Sequence, residues 1–114
     1  MKLSRVGSNG DEKPILIDNE ENYRDLSSLV KDLDPTTLNF QTLDKIKKTD
    51  INNLPILDKN QRIGACVSNP AKFIGIGLNF KDHAIEQNLP IPKEPIIFSK
   101  FTSCITGPND EIKI

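Results

Sequence analysis

The sequence predicts an α+β fold: a small N-terminal hairpin-and-helix domain over residues 1–61, followed over residues 62–114 by the first strands of a mostly β domain. Three observations carry this. Short runs rich in β-branched residues, bounded by Gly, Asn, Asp and Pro, recur near both ends of the chain, as strands and turns require. Between them, leucines and isoleucines recur at helical intervals. The polar tetrad Asp58-Lys59-Asn60-Gln61 then separates the two patterns.

In order, Met1 to Val6 reads as an opening strand. Gly7 to Asp11 reads as a turn in which glycine makes positive φ cheap, and Pro14 to Ile17 returns as the second arm of a hairpin. Asp18 to Glu21 is another polar turn, and Tyr23 to Leu26 a short third strand. Leu26, Leu29, Val30 and Leu33 follow helical spacing, with Ser27 or Ser28 as cap. Asp34-Pro35 ends that helix, because the residue before proline is pushed out of the α region. A second helix is expected with Thr36 or Thr37 as its cap and Leu38, Leu43 and Ile46 as its apolar face. Lys45, Lys47 and Lys48 fall near its C-terminus, where the backbone dipole favours cations. A lysine trio also suits phosphate or RNA, but a solvated helix end accounts for it. Leu54 to Leu57 reads as a sheet-edge strand, since Pro55 has no backbone donor to give. Arg62 to Val67 is expected to open the second domain.

Composition narrows the function classes. The 114 residues include 15 basic and 16 acidic side chains, for a net charge of −1, with no basic block. Binding to nucleic acid or to an anionic membrane therefore has no electrostatic support. No signal-peptide core and no apolar run of membrane-spanning length is present, so a soluble, cytoplasmic protein is expected. Cys66 and Cys104 form no CxxC motif and read as reduced thiols. Hydrophobic residues are 36% and aromatics 5%, without tryptophan, so two lobes of this size have little core material each.

The chemistry concentrates in Lys72 to Glu86, KFIGIGLNFKDHAIE. Phe73, Ile74, Ile76 and Leu78 among two glycines read as a strand buried on both faces. Gly75 and Gly77 permit close approach of backbone or ligand. The following residues read as a helical turn that puts His83 and Glu86 at i and i+3, on one face. His83 is the only histidine in the chain. An imidazole exchanges protons near neutral pH, and a carboxylate beside it fixes its tautomer and steadies the imidazolium. The same spacing also describes a surface helix with an incidental His–Glu pair, and one histidine among scattered carboxylates carries no metal-ligand signature. Beyond it, Pro90, Pro92 and Pro95 hold an extended connection, either a lid over substrate or a plain surface loop. Ile96-Ile97-Phe98 reads as a core strand that ends at Lys100. Gly107-Pro108-Asn109-Asp110 is a tight turn of structural role, and Glu111 to Ile114 alternates like the start of a strand.

The blocks Gly77-Leu78-Asn79-Phe80 with Asp82-His83 and Glu86, then Glu94-Pro95 through Phe98 and Lys100, then Gly107-Pro108-Asn109-Asp110, agree in order and spacing with one family. They resemble the opening of the catalytic domain in the fumarylacetoacetate hydrolase family, and the first 61 residues more loosely resemble the small N-terminal domain of its bacterial members. The resemblance implies a metal-dependent enzyme that hydrolyses carbon–carbon bonds, or decarboxylates, in 2-oxo or 1,3-dioxo acids. It implies His83 with Glu86 as general base and Lys100 as the holder of a substrate oxygen, a catalytic role as well as a binding one. Asn79, Phe80 and Ser103 would contact substrate, with Thr102 nearby. Phe80 stands where family members often carry tyrosine. The implied cofactor is Mg2+ or Mn2+, held in the family by a Glu-x-Glu pair and a later Asp downstream of the GPND-like block, so no metal ligand is assigned among these residues. A homodimer is implied for the full-length protein. The alternative is a truncated, non-catalytic fragment with at most a binding or assembly role, inactive because it lacks those ligands.

Overall fold

The N-terminal hairpin forms where turn chemistry directs it. β1 (Lys2–Val6) pairs antiparallel with β2 (Lys13–Ile17), with Leu3 opposite Leu16 and Ser4 opposite Ile15. Gly7 and Gly10 take φ of 125° and 86° in the connection, a region closed to most side chains. β2 then pairs with β3 (Tyr23–Asp25), and β3 with β4 (Ile56–Leu57), giving an antiparallel sheet in the order β1-β2-β3-β4. Proline before β4 is tolerated because that strand is the edge. The description, from a computed structural model, covers residues 1–112, so Lys113 and Ile114 of the expected final strand lie outside it.

The described chain divides into two units, Met1–Pro70 with the stretch from Ile105 onward, and Ala71–Cys104. The tetrad at residues 58–61 is a turn inside the first unit, closed by the Asn60 N–H donating to Asp58 Oδ1 at 2.9 Å. Arg62 to Gly64 runs along the free side of β1: Gly7 N–H donates to Arg62 O, and Gly64 N–H to Arg5 O, each at 2.9 Å.

Leu16, Leu26, Val30, Leu33, Ile46 and Leu54 form the core of the first unit, with Leu3, Leu29, Leu38 and Ile51 packed against it. Removing such side chains from water contributes roughly 1.5–3 kcal/mol each. The helix expected over Leu26 to Leu33 does not form. A single turn is made by Leu29 and Val30 N–H donating to Leu26 O, after which Asp32 Oδ1 captures the Leu33 N–H at 2.8 Å. A short acidic side chain that bonds its local backbone competes with helix propagation. The apolar spacing still delivers Leu26, Val30 and Leu33 to the core. α1 (Phe40–Lys48) is capped by Asn39, whose Oδ1 accepts the Thr42 N–H at 2.9 Å, and not by Thr36 or Thr37. Those threonines are engaged by Asp34, which accepts both of their backbone N–H groups. Ile46 is buried, and Lys45, Lys47 and Lys48 occupy the last turn.

An alternating ion network ties this unit together. Arg5 donates two hydrogen bonds to Asp32, at 2.6 and 3.0 Å, and one to Glu12 at 3.1 Å. Glu12 also accepts from Arg62 at 2.7 Å, and Arg62 grips both oxygens of Asp110 at 2.7 and 2.6 Å. Asp110 closes the Gly107–Asp110 turn by accepting the Gly107 N–H and the Thr106 hydroxyl. The Arg62 guanidinium, with these two donors, holds the Asp110 carboxyl well below the usual carboxylate range. For Glu12 burial pushes upward, and the hydrogen bond from Arg62 and the charge of Arg5 outweigh it, so its pKa is lowered. A buried charge is tolerable when it is paired in this way.

The second unit is a hairpin with a short helix. β5 (Phe73–Gly77) pairs antiparallel with β6 (Ile96–Lys100), Phe73 opposite Lys100 and Gly77 opposite Ile96. Gly75 faces the ring of Phe98 so closely that a Cβ would collide with it. The expectation of a strand buried on both faces, and of a core strand at Ile96-Ile97-Phe98, is corrected here: every residue of β6 and most of β5 is exposed. Two strands make no second layer, and α2 (Lys81–Glu86) buries only Ala84.

Candidate functional site

The site is built at the exit of β5. Leu78 follows the strand with φ of 46°, a left-handed conformation that costs a leucine on the order of 1 kcal/mol. That reversal turns the chain from β5 through Asn79 and Phe80 into α2, whose N-cap position Phe80 occupies without a side-chain hydrogen bond. α2 then presents Asp82, His83 and Glu86, and the last two stand at i and i+3 as the spacing predicts. The helix ends by bonds from Asn88 N–H to Ile85 O and from Leu89 N–H to Ala84 O, with Asn88 at φ of 52°.

Ile76, Gly77, Leu78, Asn79 and Lys81 form one wall of an open cavity of about 400 Å³. Ile91 to Pro95, the proline-rich connection, forms the other. The strained exit and the extended loop therefore share a pocket, lined by apolar residues such as Ile76 and Ile91 together with the charged Lys81, Lys93 and Glu94. Sequence reasoning missed Leu78, Lys81 and Lys93 as lining residues. A leucine at positive φ has no composition signal, and a lysine in a loop looks like any surface lysine.

His83 and Glu86 are both exposed, and among the described residues no hydrogen bond or ion pair joins them. Neither is among the residues lining the cavity, whereas Asn79 is. Phe80 is 74% exposed. Lys100 lies at the other end of the hairpin from the strand exit: it pairs with Phe73, four positions and about 13 Å along the strand from Gly77. Its ammonium sits 5.4 Å above the Phe73 ring, a cation–π contact. Ser103 is exposed in a 3-10 turn, Thr102–Cys104, following β6. The hairpin thus brings Asn79, Phe80, His83 and Glu86 to one end and Lys100 and Ser103 to the other.

Both cysteines are free thiols. Among the described residues, no three or more of His, Cys, Asp and Glu come together as a metal-binding group. Among the described residues, no helix is long and apolar enough to cross a membrane.

No family model matches the chain. Over all 114 residues it is 49% identical to proteins of Burkholderia lata and Burkholderia ambifaria, and equally to one of Burkholderia cenocepacia. Each of these carries the provisional name of hydrolase, with no substrate attached. The chain is similar to them throughout, and it spans about 40% of the length of each.

Proposed function

We propose that this chain is part of a hydrolase that cleaves a carbon–carbon bond in 2-oxo or 1,3-dioxo acids, with His83 as general base. The observation that carries the reading is the exposed His83 of α2, one helical turn from Glu86 and delivered by the strained exit of a glycine-bearing strand. The provisional names of the relatives and the resemblance to the fumarylacetoacetate hydrolase family support it.

On this reading His83 takes a proton from water, and the hydroxide adds to a substrate carbonyl carbon. The adjoining carbon–carbon bond then breaks, its electron pair passing into the neighbouring carbonyl as an enolate. The imidazolium returns the proton to the enolate's α-carbon, the one released from the broken bond, which closes the balance. Glu86 would orient the imidazole by rotating onto it, a change of side-chain torsion within one face of the helix. Asn79, at the cavity wall, would contact substrate. For Lys100 to hold a substrate oxygen it must leave the Phe73 ring, so the reading rests on His83 and Glu86. A divalent ion would draw its ligands from outside the described residues.

The test is His83→Ala in a protein extended to the length of its relatives, assayed on acylpyruvates with Mg2+ or Mn2+ against a control with metal alone. Loss of a general base is expected to lower kcat by about 100- to 10,000-fold. Near-normal turnover removes His83 from the mechanism.

The second reading, a fragment without activity of its own, is favoured by the lack of a metal-ligand group among the described residues. Turnover of an acylpyruvate by this 114-residue chain with added metal, above the rate with metal alone, would refute it.

A further inference from the structure

The second unit is an insertion in the first. The chain leaves the first unit after Pro70 and re-enters it at Ile105, so Ala71–Cys104 carries every candidate residue from Asn79 to Ser103 between two stems. The outgoing stem is stitched to β1 through Arg62 and Gly64, and the Ser68 N–H donates to Leu33 O at 2.7 Å. The returning stem meets it through a bidentate pair. Arg62 Nε and Nη2 donate to the two oxygens of Asp110 at 2.7 and 2.6 Å, across 48 residues of sequence. Beside that pair, Gly107 lies so close to Ile63 O that a Cβ would collide with it. The Thr106 hydroxyl and the Gly107 N–H donate to the same Asp110 carboxylate, at 2.7 and 2.8 Å, which fixes the turn that presents it. Arg62 Nη1 donates to Glu12 at 2.7 Å and to Gly7 O at 3.3 Å, which fixes the guanidinium on the β1–β2 side. Two parallel charge-assisted bonds between side chains 27% and 20% exposed are of the strong kind. A two-stranded hairpin such as β5–β6, by contrast, is marginal in water on its own.

We infer that Arg62 and Asp110 are a clasp that closes the base of the second unit, holding the returning stem on the first unit whether or not the β5–β6 hairpin is paired. The competing account is that strand pairing brings the two stems together and the ion pair follows. The inference is independent of the reaction proposed for His83.

Spin labels read the clasp directly. In a chain with Cys104→Ser and Asn109→Cys, labels are attached at the exposed Cys66 of the outgoing stem and at exposed position 109 of the returning turn, both in the first unit. Double electron–electron resonance is expected to give one narrow distance distribution. Ile97→Pro with Phe98→Pro breaks the ladder, because successive N–H groups of a strand point to opposite edges and one of the two faces β5. The distribution is expected to stay narrow in that variant. Asp110→Ala removes the acceptor and is expected to broaden it, the freed stretch of about five residues up to position 109 ranging over roughly 12 Å. Amides of β1 and β2, followed in the same variant, are expected to keep their protection. Broadening by the double proline variant overturns the inference, as does an unchanged distribution in Asp110→Ala. Loss of β1 and β2 protection in Asp110→Ala also overturns it, because the pair would then hold the sheet and not the stem.

Discussion

The two units handle apolar residues in opposite ways. In the first, β2 buries Pro14, Ile15 and Leu16 in succession, and the chain around it covers both faces of the sheet. In the second, Ile96, Ile97 and Phe98 are equally apolar and all exposed. Both stretches have the composition of an internal strand. What separates them is the second layer, which α1 and the irregular Leu26–Leu33 segment provide in one unit and nothing within Ala71–Cys104 provides in the other. The polar groups follow the same division. Asp32, Arg5, Glu12, Arg62 and Asp110 form a continuous chain of ion pairs in the first unit, whereas Asp82, His83 and Glu86 of α2 are exposed.

Substitutions should separate the units by size of effect. Leu26→Ala, at a fully buried core position, is expected to cost about 2–5 kcal/mol by urea unfolding of the first unit. A cost under 1 kcal/mol would mean that the site collapses around the lost volume or is not core. Arg5→Met leaves Asp32 without both guanidinium hydrogen bonds and Glu12 with only Arg62 and the Gly10 N–H. A loss of about 1–3 kcal/mol is expected, and a neutral result would show that water replaces the arginine.

A smaller effect is confined to acid. Burial pushes the Asp18 carboxyl upward, but the Asn22 N–H, the Arg24 guanidinium, the Asn22 side chain and the Glu20 N–H outweigh it and hold the pKa at about 2. A lowered folded-state pKa gives stability that is full above the ordinary carboxylate range and lost as pH falls through about 2. Urea midpoints measured from pH 5 to pH 2 should therefore decline, and Asp18→Asn should flatten part of that decline. An unchanged slope in the variant would assign the acid sensitivity to other carboxylates. The smallest effect is expected at Ile97→Ala in the free chain, within about 0.5 kcal/mol, because an exposed side chain gives up little burial.

Much of this was legible in the sequence. Turn glycines between two short strand-like runs located the N-terminal hairpin, and the i, i+3 relation of His83 and Glu86 followed from helical geometry. Helical apolar spacing misled at residues 26–33, because Asp32, which Arg5 holds, takes up the Leu33 N–H instead. The burial expected for β5 and β6 failed for a related reason: an apolar run states what a strand needs and not whether a neighbour supplies it. Lys100 was grouped with His83 by its place in a motif, and only the strand register shows that it stands at the hairpin's far end.

The difference between the units is most directly measured by amide hydrogen exchange on the free 114-residue chain. Amides of β1 and β2 are expected to exchange only through opening of the first unit, orders of magnitude more slowly than those of Ile96–Lys100, which should approach the rates of an unstructured peptide. If Ile96–Lys100 is protected as well as β2, the hairpin already has its cover, and the contrast drawn between the two regions is wrong.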